Sequence, residues 1–453
     1  MNKAIKKLWE SATFTEWTVK LIKPLRLLLV TPLILTQFSL SEQAAWYLFA
    51  SIGFFGQIVT SRVNLTFSRM ISMANGGAIN LSPIKEKRNI VVSTEKTTNW
   101  KGVLRVYNTI TMLIVLIVVL IFVINSSIGY FTLREICRGI TSEEAKIIWI
   151  SFIIMRMGDF IGQAATPPAV ALTGLNHVAL VNRWTTIFQF ISVIAGYIVL
   201  MMGVGMIGLT IVMQSVVVVG LFRNYWLTRI VNEGRLWKGW KPKWDKEVFA
   251  WAWQPLWKGF IAEFAKSGVL HMTGIIFAFY ASTAGLASYL FSVGIARTIQ
   301  SFSMAPFSSQ MPRFAKMMAQ NKLKELRMVF NKRVALAQFL LCCGFIAVSL
   351  VGPLLLTLIE SENTFLPVLQ WLSLGGLFLY ERFNTYCLAI CAAGNNIVLV
   401  WSQVLAGASA IGLMFFLIPH LEVWGILISL ALPALVVMNI RPFYKMKSQL
   451  SSC

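Results

Sequence analysis

The chain has 453 residues, of which 57% are hydrophobic and 13% charged, with a mean hydropathy of +0.69 and a formal net charge of +22. Soluble domains carry about a quarter charged residues, so this composition excludes a water-soluble globular protein. Membrane topology and attraction to anionic lipid headgroups account for the positive balance, and nucleic acid is not an expected partner.

The first ten residues, MNKAIKKLWE, are basic and polar. The apolar run behind them, near 18–40, is long enough to be kept as a spanning helix rather than removed as a leader. Comparable runs follow at about 42–62, 103–126, 146–171, 184–202, 205–223, 248–280, 284–311, 333–358, 364–392, 396–418 and 422–442. Each is close to the ~20 residues that cross the hydrocarbon as a helix. Twelve spans are therefore expected.

Lys and Arg resist translocation and collect on the cytoplasmic side. With the N-terminus inside, twelve spans place 31 of the 40 basic residues in cytoplasmic segments, and only Arg134, Arg138 and Lys146 outside. An odd span count would smear that asymmetry. Both termini are expected in the cytoplasm. The six cysteines form no CxxC and only three histidines occur, so neither a disulfide framework nor a metal site is expected. No GxxxxGK[ST] motif is present, and no cofactor is expected.

Two stretches recur in order. Trp149-x-Ser151 is followed by Asp159, and Trp371-x-Ser373 by Glu381, the acid ten residues after the tryptophan both times. Each then reaches a Gly-x-Asn turn, Gly174-Leu-Asn176 and Gly394-Asn-Asn396. Earlier, Tyr47-Leu-Phe49 matches Tyr289-Leu-Phe291, and Ser68-Arg69-Met70 resembles Pro312-Arg313-Phe314. Internal repeats in transporters mean paired bundles around a shared site. The expected fold is an all-α polytopic membrane protein with twelve transmembrane helices in two pseudo-symmetric six-helix bundles around a central cleft. The first bundle is expected at 1–235 and the second at 236–453, joined by the basic segment Arg223–Lys246.

The segments AAWYLFASIGFFGQIV (44–59) into FSRMIS (67–72), and SYLFSVGIARTIQSFSMAPFSSQMPRFAKM (288–317) with a charged helix behind it, carry a resemblance. The chain resembles the polysaccharide transporter, or O-antigen flippase, family of the multidrug/oligosaccharidyl-lipid/polysaccharide exporter superfamily. The likeness is a pattern of spans and small motifs over nearly the whole chain. One departure is Thr60-Ser-Arg62-Val-Asn64, where family members run glycine-rich. The resemblance implies a cargo of oligosaccharide joined through pyrophosphate to a polyprenol. It also implies polysaccharide polymerase and chain-length regulator as partners beside the membrane lipids.

Inside the spans lie six bases, Arg26, Arg156, Lys258, Lys266, Arg297 and Arg382, and three acids, Asp159, Glu263 and Glu381. Each costs ~2.5–3.5 kcal/mol at the bilayer centre even on insertion scales, roughly 25 kcal/mol for all nine against lipid. They must therefore face one another or water. Arg156 with Asp159, and Glu263 with Lys266, stand at i and i+3 and share a helix face. Such pairs serve either as internal staples or as part of a cargo path. Arg297 and Arg382 have no acid at i±3 or i±4, which makes them the leading candidates for an anionic group on the cargo. Arg26 and Lys258 lie near helix ends, where long side chains also snorkel to headgroups. The acids are candidates for ion coupling or pairing.

Thr166-Pro167-Pro168 breaks the fourth span, either as a helix end or as a hinge for alternating access at Pro167 and Pro168. The tryptophans at 237, 240, 244, 251, 253 and 257 read as an interfacial belt, and His177 and His271 as satisfied polar groups. The function expected is outward flipping of a lipid-linked oligosaccharide. The alternatives are an ion-coupled antiporter of drugs or metabolites on the same fold, and a membrane polysaccharide polymerase. The polymerase would need a catalytic extracytoplasmic loop, and the longest expected one, about 127–145, is short.

Overall fold

The computed structural model describes residues 12–77, 98–308, 310, 314, 323–358, 365–393 and 401–438. Among these residues every element is helical. The principal helices are α1 (Ala12–Gln37), α2 (Leu40–Asn75), α3 (Trp100–Ile136), α4 (Ser142–Gln163), α5 (Thr166–Gly174), α6 (Val178–Met201) and α7 (Gly205–Ile230). They continue as α8 (Lys246–Glu263), α9 (Val269–Phe277), α10 (Thr283–Ser303), α11 (Leu323–Leu358), α12 (Val368–Ala393) and α13 (Trp401–Pro433). The chain is an all-α, multi-pass membrane protein. The turn Gly394–Asn396, the Pro312-Arg313 motif, most of the polar stretch 76–99 and the last basic segment 441–447 lie outside the described residues.

Among the described residues seven stretches are long and apolar enough to cross a bilayer, and the last of them, Gln403–Val436, covers parts of two of the expected spans. The helix α13 breaks at Glu422, where φ is 48° and ψ −121°. A Cβ on Gly425 would lie 2.8 Å from the Ile418 amide nitrogen, so the chain has doubled back there, at the boundary expected between 396–418 and 422–442. The helices α10 and α12 fall short on apolarity because they hold Arg297, Glu381 and Arg382. In α3 the exposed stripe Val115, Leu116, Val119, Leu120 and Val123 is as apolar as its buried face. That pattern belongs to a helix with lipid on its outer side.

The residues form two compact units. Unit 1 comprises Met1–Phe38 and Ile52–Ile261, and unit 2 Ser39–Ser51 and Ala262–Cys453. In unit 1, α1 lies along α6, α6 along α7, α7 along α4 and α4 along α3. In unit 2, α9 contacts α10 and α13, and α12 contacts α11 and α13. The expected division at 235/236 differs from the compact one at 261/262, for a reason visible in the linker.

That linker folds back on α3. After α7 three residues in succession are left-handed, Asn232 (φ 51°), Glu233 (φ 60°) and Gly234 (φ 70°), and reverse the chain. Gly234 is needed there, since a Cβ would sit 2.7 Å from the Arg229 carbonyl. Asn108 of α3 then donates to the Gly239 carbonyl (3.2 Å) and accepts from the Lys241 amide (2.9 Å). Arg105 forks onto Asp245 (2.7 Å) and Glu247 (2.6 Å). Arg229 stacks on Trp237 at 3.9 Å, and Trp237 on Trp240 at 5.8 Å. Trp240, Trp244 and Trp251 pack on a core that includes Phe67, Tyr107, Ile110 and Leu236. These tryptophans are thus structural members of unit 1.

Asp245 also caps α8 by accepting from the Glu247 and Val248 amides. The Arg105 guanidinium beside it holds its carboxyl below the usual aspartate range. A depressed carboxyl contributes stability above its unfolded pKa, and the contribution is lost as pH falls through its folded value. Because Asp245→Asn keeps an amide oxygen for the cap and removes the charge, it is expected to cost about 0.2–1 kcal/mol at neutral pH, the range for a largely solvated pair. Thermal unfolding in detergent at pH 7 and near pH 3 checks this. The gap between variant and parent should close in acid.

Candidate functional site

In unit 1 the site is one face of α4. Thr141 caps that helix by accepting from the Glu144 amide, and Glu143 and Glu144 occupy its positive end. Fourteen residues along, Arg156 Nη2 meets Asp159 Oδ2 at 2.9 Å, so the pair expected at i and i+3 forms. The Arg156 side chain is 3% exposed and that of Asp159 33%. The guanidinium also lies 5.4 Å from the Phe152 ring centre. Gln163 extends the face by one more turn.

Glycines on α2 make room for these polar groups. A Cβ on Gly53 would lie 3.4 Å from Asp159 Oδ2 and 3.5 Å from Arg156 Nη2, and one on Gly56 would lie 2.7 Å from Gln163 Nε2. Two glycines three residues apart let helices approach closely in lipid. On the opposite side of α4, Gly162 and Gly158 receive Val217 and the Gln214 side chain from α7. The remaining unit 1 candidates stand apart from this face. Arg26 on α1, partly buried, has Nη2 3.1 Å from Met213 Sδ. Lys258 on α8 reaches the Trp257 ring at 5.8 Å.

The proline break follows α4 directly. The helix ends at Gln163, and α5 begins at Thr166 with Pro167 and Pro168 in its first turn, where the missing N–H groups go unused. At its far end the Gly-x-Asn turn is a Schellman closure. The His177 amide bonds the Leu172 carbonyl (2.9 Å), and the Asn176 amide bonds that of Thr173 (3.0 Å). Asn176 carries the left-handed conformation, φ 69°. Gly174 serves the approach to α2 instead, since a Cβ would lie 2.9 Å from the Ser68 carbonyl. Asn176→Ala is expected to lose about 1–2 kcal/mol and Asn176→Gly to lose nearly nothing, as read by thermal unfolding in detergent.

In unit 2 the charges gather between α9, α10 and α12. Arg297 Nη1 lies 3.0 Å from His271 Nδ1, and Nη2 donates to the Leu270 carbonyl at 3.1 Å. A guanidinium only donates, so Nδ1 accepts and the His271 ring is the neutral form protonated on Nε2. One turn further along α9, Tyr289 donates to Thr273 Oγ1 at 2.7 Å. Arg382, 2% exposed, donates to the Gln300 carbonyl near the end of α10. Glu381 is within electrostatic reach of both guanidinium groups.

Arg297 and Arg382, which have no acid at i±3 or i±4, thus find partners at longer range or beside them. Other helices supply Arg297 with a ring nitrogen, a carbonyl and the Glu381 carboxylate, whereas Arg382 takes a carbonyl from α10 and has Glu381 beside it on its own helix. Of the second expected pair, Glu263 Oε1 accepts from Ser267 Oγ at 2.9 Å, and residues Phe264–Gly268 form a π-helical turn. The Lys266 side chain lies outside the described residues.

Glu381 also lines a small cavity of about 70 Å³ with Ala265, Leu270, Phe378, Gln403 and Gly407. Gln403 is 4% exposed, and its Nε2 has no hydrogen-bond partner among the described residues. At roughly 30 Å³ per water the space holds about two. Gly53, Gly56, Gln163 and Gln403 were not singled out from the sequence. The Gly-x-x-Gly spacing inside a span was the one available signal for the α2–α4 approach.

No protein-family model matches the sequence, and no curated protein matches it. Solved structures do. An inward-facing multidrug resistance MATE family transporter of the MOP superfamily is similar at TM-score 0.68 and 12% identity, over 96% of this chain and 99% of that one. The lipid II flippase MurJ in an inward closed conformation is similar at TM-score 0.60 and 12% identity, over 97% and 87%. A MOP superfamily transporter from Pyrococcus furiosus, described as having a binding pocket of reverse polarity, is similar at TM-score 0.53 and 10% identity, over 100% and 99%. At these identities what is shared is the fold.

Proposed function

We propose, from a fold shared with transporters of the MOP superfamily, that this chain flips a polyprenyl-pyrophosphate-linked oligosaccharide outward across a bacterial cytoplasmic membrane. The cargo unit is an O-antigen or similar surface-glycan repeat, moved by alternating access of two six-span halves past their in-span cations. The observation that carries this reading is charge. Six bases stand against three acids inside the spans, and such an excess in a low-dielectric setting attracts an anion. Arginine's planar fork suits pyrophosphate oxygens and stays charged. With the cytoplasm negative, each negative charge carried outward gains ~2.3 kcal/mol per 100 mV.

Within this reading Arg156, Arg26, Lys258 and Lys266 meet the anionic part of the cargo, and Asp159, Glu263 and Glu381 exchange an ion. Arg297 and Arg382 join them only when their bonds to His271, Leu270 and Gln300 open. Pro167 and Pro168 form the hinge, between two helices that the chain already separates. The connection 137–141 between α3 and α4 is short, and this reading places no polymerase site there. Polysaccharide polymerase and a chain-length regulator are the partners this role implies.

Reconstituted full-length protein, given a fluorescent polyprenyl-pyrophosphate oligosaccharide, tests the reading. Cargo should cross to the far leaflet, and Arg156→Ala should slow it at least tenfold. The MATE structures favour a second reading, antiport of soluble drugs or metabolites. Proton- or sodium-driven dye transport with no lipid flipping would select it.

A further inference from the structure

Unit 1 contains a recess of about 550 Å³ between the facing stretches 122–131 of α3 and 149–157 of α4. It arises from residue size. Ser126 and Ser127 leave a hole between the larger Phe122 and Tyr130, while Gly129 lets the Phe152 ring lie flush on α3 and close one side. Tyr130 and Trp149 rings meet at 5.8 Å across the opening. Tyr130, Phe131, Ile153 and Met157 at its rim are all exposed large side chains, on helices that pass the length and apolarity test for spanning. Arg156, cation of the buried pair, is among the residues that line it.

The recess thus opens toward hydrocarbon, and one of its lining residues carries a buried guanidinium. A methylene fills about the space of a water, roughly 30 Å³, so the volume takes about eighteen carbon-sized groups. That is one chain of three to four isoprene units, and too little for the two chains of a phospholipid. Arg156 lies fourteen residues into α4, roughly 21 Å along a helix in a hydrocarbon core of ~30 Å. The phosphate of a resting lipid stays at the interface, whereas that of a lipid being flipped passes this depth.

We propose that this recess seats the phosphate-proximal isoprene units of a single-chain polyprenyl phosphate carrier during transfer, with Arg156 facing the phosphate end. The proposal rests on the flippase reading and adds where the chain of the carrier lies. It places the tail on the α3–α4 side of unit 1, in contact with lipid throughout.

Full-length protein in nanodiscs is labelled with a polyprenyl monophosphate bearing a diazirine near its phosphate, and in parallel with a phosphatidylglycerol diazirine probe. The polyprenyl probe should label 130–131 or 153–157 preferentially, and Ser127→Trp or Ser126→Phe, which fill the hole, should reduce that label at least tenfold. Two filling variants are used so that misfolding of one leaves the other, each checked by monodispersity in detergent. Equal labelling of the recess by phosphatidylglycerol, or unchanged labelling in a folded filled variant, overturns the seat. Polyprenyl labelling confined to other helices overturns the seat and leaves the flippase reading standing. No polyprenyl labelling anywhere overturns both.

Discussion

Asp159→Leu is expected to destabilise the protein by about 3–5 kcal/mol, because it strands a guanidinium that is 3% exposed. The paired substitution Arg156→Met with Asp159→Leu is expected to recover most of that loss. Replacing a buried ion pair by apolar groups of similar volume is often neutral or stabilising, while removing one partner leaves an uncompensated charge. Here the surroundings favour recovery, since Phe152 and the Gly53 surface of α2 are apolar contacts that Met and Leu can take over. Thermal unfolding of the three proteins in one detergent measures the difference. A double variant as unstable as the single one would mean that the pair is not the unit that matters. If the double variant is stable and yet does not flip cargo, the charges serve transport. If it is stable and still flips cargo, they are staples.

How much of this was legible in the sequence follows from how far each contact reaches along the chain. The Arg156–Asp159 pair needs only helical spacing, and it formed. The Gly174-Leu-Asn176 turn is local as well, although Asn176 carries the unusual conformation and Gly174 the helix contact. The helix break at Glu422 falls where the apolar pattern divides. What escaped were contacts between distant segments. Arg382 finds its carbonyl 82 residues away on α10, and Arg297 its ring nitrogen 26 residues away on α9, so a test at i±3 and i±4 finds both empty. The linker reads as basic and aromatic, and nothing local says that Arg105 and Asn108 will draw it onto α3.

His271→Leu is expected to destabilise unit 2. It removes an acceptor from one arm of the Arg297 guanidinium while leaving the other arm on the Leu270 carbonyl. A buried donor left unsatisfied costs about 1–3 kcal/mol, and more when charged. His271 is 8% exposed, so water is a poor replacement. His271→Asn is the informative companion, because its amide oxygen offers an acceptor close to where Nδ1 stands and should restore most of the stability. Arg297→Lys should fail to substitute for arginine even with His271 intact, since one ammonium on a flexible stem cannot hold both acceptors in the planar geometry of the fork. Unfolding midpoints of the three variants against the parent are the measurement, with the order Asn, then Lys, then Leu expected from most to least stable. Equal midpoints for His271→Leu and His271→Asn would mean that Nδ1 does not accept from Arg297. The Nε2–H tautomer would then lose its basis, and the other neutral tautomer, protonated on Nδ1 and turned away from the guanidinium, would take its place.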